Sequence, residues 1–176
     1  MEITIEQKEK ENEYRKYIDN HINNVKKAWE TMKSNSECME LISKYLNSSI
    51  KASISLIDEL IKKHDLSKYE KEEFDAYRRN FYPVNDDEKN NNKESFDKAW
   101  EHHYTNNLHH WDYWYKSGNM DKMGFAFCTE EVCDWIGMAY QFNQSANEWY
   151  HQNSNDIHLG EKQRTFTEEL LNRFYK

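Results

Sequence analysis

Residues 96–118, FDKAWEHHYTNNLHHWDYWYKSG, decide how this chain is read. Phe96, Trp100, His103, Asn107, His110 and Trp114 recur at spacings of four, three, four, three and four, which is one face of an α-helix. The stripe predicts a continuous helix from about Glu94 to Lys116, with Gly118 as its stop signal. Its ends are aromatic and its middle is His-Asn-His. Burying three polar side chains costs free energy unless each is hydrogen-bonded or holds an ion. His102 and His109 lie on an adjacent stripe, about 100° around the helix. A single buried histidine is usually a hydrogen-bonded core residue. Four histidines between positions 102 and 110, two of them on an otherwise aromatic face, favour metal instead. Imidazole is a common neutral ligand for Zn, Mn, Fe, Co and Ni.

Working outward, 176 residues with only four glycines and one proline point to long helices and short connections. Aromatic residues make up 15% of the chain, which suits a folded core rather than disorder. The expected architecture is all-α: a single-domain bundle of about five to six helices spanning residues 1–176. Helices are predicted near Glu6–Met32, Ser36–Lys63, after Ser67, Glu94–Lys116, from Thr129 to Gln144, and Thr165–Tyr175. Ser67 with Glu70 reads as a capping box. Asn85–Lys93 (NDDEKNNNK) reads as a solvated loop.

The formal charge of −8 argues against general nucleic-acid binding through phosphates. No apolar run is long enough to span a bilayer, and the N-terminus is charged rather than signal-like. Cys38, Cys128 and Cys133 form no CxxC and read as reduced structural thiols, so a cytoplasmic location is expected.

Other residues fall in line with the histidine helix. His21 sits beside Ile18 and Val25 on the buried stripe of the first helix. His64 continues the Ile57–Leu60 face and is followed directly by Asp65. Asp134 lies on the predicted fifth helix. The order is therefore His, His-Asp, paired histidines, then Asp.

In that order the chain resembles the HD-domain superfamily, helical bundles whose metal ligands run H…HD…D. The string His64-Asp65-Leu66-Ser67-Lys68 is similar to the HD-x-G-K string of cyclic-dinucleotide phosphodiesterases and diiron inositol oxygenases, with Ser67 in place of the glycine. The segment AWEHH…NLHHW (residues 99–111) also resembles a small bacterial and phage family with HD-like features. The resemblance implies metal ligation by His21, His64, Asp65 and Asp134. In two-metal members additional histidines hold a second ion, a role that falls on His103 and His110, with His102, His109 and Asn107 in reserve. One or two divalent ions (Zn, Mn, Fe, Co or Ni) are thus the expected cofactor.

The expected activity is metal-dependent hydrolysis of a phosphate ester, on a nucleotide or another small phosphorylated molecule. Asp65 would orient or deprotonate a metal-bound water, and Lys68 would stabilise developing charge or protonate the leaving oxygen. Arg78 and Arg79 are candidate phosphate forks, although a solvated helix face explains them equally well. The alternatives are an HD-type diiron oxygenase, which needs redox-active iron and consumes oxygen, and a non-catalytic metal-containing binding protein.

Overall fold

The chain's heptad-like apolar stripes become helices throughout the computed structural model, which describes residues 4–176. Among those residues there are ten α-helices, two short 3-10 helices and no strand. They are α1 (Ile5–Lys33), α2 (Ser36–Tyr45), α3 (Ile50–Lys63), α4 (Lys71–Phe81), α5 (Asp86–Asn90), α6 (Lys93–Asn106), α7 (Trp111–Lys116), α8 (Phe125–Phe142), α9 (Ala146–Asn153) and α10 (Glu161–Phe174). No described helix is long and apolar enough to cross a membrane.

The all-α reading holds, and the count of five to six helices is corrected. The predicted helix Ser36–Lys63 breaks after Tyr45, where Asn47 takes a left-handed φ of 48° and Ser49 caps α3 by accepting the Ala52 amide. The predicted helix Glu94–Lys116 breaks between Asn106 and Trp111. Neither break carries the glycine or proline that announces one. Ser67 is not the N-cap of α4. It lies inside the 3-10 turn Leu66–Tyr69, and α4 begins at Lys71 with Glu70 as an N-cap residue that makes no side-chain cap bond. The presumed loop Asn85–Lys93 contains α5, capped by Asn85 accepting from the Glu88 amide at 2.8 Å.

The chain groups into two compact units, each assembled from separated segments. The first takes α1 as far as Asn20 together with Asp65–Asn107. Here α4 packs on α6, and Tyr14, Phe74, Tyr77, Ala99 and Tyr104 are buried. Tyr14 and Phe74 rings lie 5.1 Å apart, and Tyr77 meets Phe96 edge-on at 5.3 Å. Asn92 donates its side-chain amide to the Ala76 carbonyl at 2.7 Å, tying the start of α6 to α4.

The second unit takes His21–His64 and Leu108–Lys176. The longest helix wholly inside it, α8, packs on α2, α3, α9 and α10. Val25, Trp29, Ile42, Ile57, Val132, Ile136, Phe166 and Leu170 form the core, each essentially without solvent exposure. Cys38, Cys128 and Cys133 are buried free thiols, as read from their spacing.

One approach within this core is tight enough to require glycine. A Cβ on Gly137 would lie 2.8 Å from Val25 Cγ2 and 2.9 Å from the Val25 backbone nitrogen. Backbone cannot rotate away, and the β-branched Val25 has little rotamer freedom in a helix. Gly137 is one turn beyond Asp134 on α8, and Val25 one turn beyond His21 on α1. The Gly137–Val25 contact therefore sets the distance between two helices that carry polar buried groups. Gly137→Ala gains about 1 kcal/mol of helix propensity and is nonetheless expected to destabilise the protein by about 1–3 kcal/mol through overpacking. Chemical denaturation measures this; unchanged or higher stability would show that the helices separate freely.

Candidate metal centre

In the second unit three histidines from separate segments approach the carboxylate of Asp134 on a fourth. His21 comes from α1, His64 from the residue that ends α3, His109 from the segment before α7, and Asp134 from the middle of α8. The three histidines are each 1% exposed and Asp134 is 9% exposed. His21 Nε2 lies 3.1 Å from Asp134 Oδ1 and 3.4 Å from His64 Nε2. His64 Nε2 is 3.8 Å from Asp134 Oδ1, and His109 Nε2 is 3.9 Å from Asp134 Oδ2. The ligand atoms of His64, His109 and Asp134 all lie within 4.8 Å of one another.

A fifth residue decides what those nitrogens are. Glu130, one turn before Asp134, places Oε1 at 3.0 Å from His64 Nδ1 and 3.2 Å from His109 Nδ1. A carboxylate only accepts, so both Nδ1 atoms direct a proton at it, while His64 Nε2 faces Asp134 Oδ1 and His109 Nε2 faces Asp134 Oδ2. Burial alone would raise the Glu130 carboxyl, but His109 and His64 overcome it and hold the group down at about 2. Glu130 is thus an anion that fixes two imidazole tautomers.

His21 Nε2 stands within hydrogen-bonding reach of both Asp134 Oδ1 and His64 Nε2, so either a shared proton or a cation satisfies these atoms. Ligands bound at about 2.0–2.2 Å stand about 3–4 Å apart around one ion, and the separations here fall in that range. Three imidazoles and one carboxylate suit Zn, Mn, Fe, Co or Ni, and the Glu130–histidine pairs are the outer carboxylates that such ligands use. The donor set fits a divalent transition metal.

The first unit repeats the device with a different glutamate. Glu73, fully buried, accepts from His102 Nδ1 and His103 Nδ1, each at 2.8 Å. Burial opposes its charge, yet His103 and His102 hold the carboxyl below its ordinary value. Burial pushes His103 down, so the ring is neutral with its Nε2 lone pair 3.4 Å from Asp65 Oδ1. Asp65 takes a left-handed φ of 57°, and its Oδ2 receives the Lys68 ammonium at 2.5 Å. Asparagine and aspartate tolerate that conformation better than other residues, at a modest cost in strain.

The remaining sequence-predicted residues are placed as follows. Asn107 ends α6 and donates to Ser67 Oγ at 2.7 Å and the His103 carbonyl at 2.9 Å. His110 immediately precedes α7, its ring 4.2 Å from that of His109. Because the helix breaks, it is His109 rather than His110 that joins His64 and Asp134. The single stripe from Phe96 to Trp114 is therefore a correction: His103 and His110 lie on two elements, not one face. Arg78 is forked onto Glu88 at 2.8 and 2.5 Å, which occupies the guanidinium. Arg79 shares its groove with Glu11, Asp75 and Glu88, poor company for a phosphate.

Sequence reasoning ranked His109 second and passed over Glu130 entirely. The signal was present: Glu130 and Asp134 are four apart on a helix, so their carboxylates share a face.

A family model described as "Family of unknown function (DUF5662)" matches residues 10–173, and the chain belongs to that family. No curated protein and no solved structure matches it.

The geometry separates two variants. His109→Ala is expected to abolish stoichiometric metal binding, whereas Glu130→Gln keeps all four ligands and weakens affinity by about 10–100-fold. Competition against a chromophoric chelator reads both. Metal binding by His109→Ala equal to that of the unaltered protein would remove His109 from the ligand set.

Proposed function

We propose that this DUF5662 member holds a divalent transition metal on His21, His64, His109 and Asp134 and hydrolyses a small phosphate ester. The observation that carries the reading is the convergence of three imidazole nitrogens on one carboxylate, with two tautomers fixed by Glu130. Three of the four, His21, His64 and Asp134, are residues that the H…HD…D order picks out in the sequence; Asp65 of the doublet is not among them. A metal ion in such a set supplies two things: it draws in a phosphoryl oxygen and lowers the pKa of bound water towards about 7.

The chain's own groups have separable tasks. Glu130 orients His64 and His109 through their Nδ1 atoms. Asp134 is the most exposed ligand, with 13% of its side chain open, so solvent and substrate approach from its side. Such narrow access suits a small phosphorylated molecule rather than a polymer.

Near-complete burial of the three histidines supports a second reading, in which the ion is structural. Four protein ligands complete a tetrahedron, and closed four-coordinate sites are characteristic of structural zinc. A six-coordinate ion keeps two positions for water and substrate.

The experiment is a phosphatase screen across nucleotides and sugar phosphates, run anaerobically on chelated protein reloaded with Zn, Mn, Fe, Co or Ni. Hydrolysis is expected to release inorganic phosphate with at least one metal and to vanish in His64→Ala. Tight stoichiometric metal with no turnover on any ester would instead establish the structural reading. Oxygen uptake by the iron form in air would point to oxygenase chemistry.

A further inference from the structure

The residue after Glu130 is also a buried glutamate, and nothing in the hydrolytic reading uses it. Glu131 is 1% exposed, on the same turn of α8. Its Oε1 accepts the backbone N–H of Trp111 at 3.2 Å. Trp111 opens α7 and lies two residues beyond His109. Its amide has no partner within the helix, and His110, the residue before it, supplies no side-chain cap. Glu131 satisfies that amide from another element.

The segment bearing His109 is thereby fixed at three points. The Leu108 carbonyl accepts from the Trp114 ring nitrogen at 2.9 Å. The His109 ring donates to Glu130. The Trp111 amide donates to Glu131. Helix α8 thus holds the ligand with two consecutive side chains, one on the ring and one on the backbone beyond it.

We propose that Glu131 is a positioning residue of the metal centre, fixing through the Trp111 amide the segment that delivers His109 Nε2. The proposal rests on the reading of His21, His64, His109 and Asp134 as ligands. Burial pushes the Glu131 carboxyl well above the ordinary range, opposed by the Trp111 amide and reinforced by Asp134, Asp112 and Glu130. The bond needs only the sp2 oxygen Oε1 as its acceptor. A carboxamide reproduces that shape and acceptor, so glutamine should replace it without loss.

The test is a Co²⁺ titration of chelated protein, followed by the visible absorption bands that report coordination, alongside thermal melts without metal. Glu131→Gln is expected to bind Co²⁺ with the affinity and spectrum of the unaltered protein. Glu131→Ala should bind about 10–100-fold more weakly, with a spectrum altered towards fewer nitrogen ligands. A second pair keeps the question decidable if Glu131→Ala fails to fold. Trp111→Ala retains the amide and loses the ring, whereas Trp111→Pro loses both, in a first-turn position that proline accepts. Affinity falling further in Trp111→Pro than in Trp111→Ala supports the role. Unweakened binding by Glu131→Ala, or by Trp111→Pro relative to Trp111→Ala, overturns it while leaving the metal centre intact. Failure of the unaltered protein to bind Co²⁺ would overturn the ligand set itself, and Glu131's role with it.

Discussion

A single carboxylate oxygen, Glu130 Oε1, receives the Nδ1 protons of both His64 and His109. With those protons committed, the rings turn their Nε2 lone pairs towards Asp134, and the interior acquires its character as a ligand set. Remove the anion and each imidazole is free to take the other tautomer, which replaces an acceptor by a donor. Everything chemical in the second unit depends on that shared contact. It also explains why Glu130 stays ionised under burial that would otherwise neutralise it: two donors compensate the lost water.

Charge makes the same point from another direction. Glu130 and Asp134 place two carboxyl groups among three imidazoles in a region almost without solvent. An uncompensated buried charge costs several kcal/mol. A divalent cation among these side chains would supply two positive charges there, so electrostatics and donor geometry would suit the same occupant. Burying that many polar atoms is affordable because α8 surrounds them with Val132, Ile136 and the close Gly137–Val25 contact.

Much of this was legible in the sequence, and the reasons for the rest are specific. The stripe Ile18–Met32 and the face Val132–Ala139 are long and regular, so α1 and α8 follow from periodicity. The candidate ligands His21, His64 and Asp134 were reachable because each sits on or beside such a face. The break at Asn107–His110 was not legible, since no glycine or proline marks it. It is made by tertiary bonds: Asn107 to Ser67 Oγ, and the Trp114 ring to the Leu108 carbonyl. Asn107 had been read as one more polar residue on a continuous face, when its side chain ends the helix. The unread break left His109, which joins His64 and Asp134, as a reserve choice, because a helix carried on for four residues turns every later side chain to a different face.

The consecutive pair Glu130–Glu131 shows how far environment outweighs residue type. Both are glutamates on one turn of α8, and both are buried. Glu130 faces two ring N–H donors and is held down at about 2. Glu131 meets one backbone amide and the fields of Asp134, Asp112 and Glu130, and is held well above the ordinary range. Were both ionised, two adjacent negative charges would share a dry helix face. Were both neutral, His64 and His109 would lose the anion that selects their tautomers. Only the unequal pair satisfies the imidazoles and the amide together, so the ionisation state of each glutamate is set by what its neighbour leaves undone.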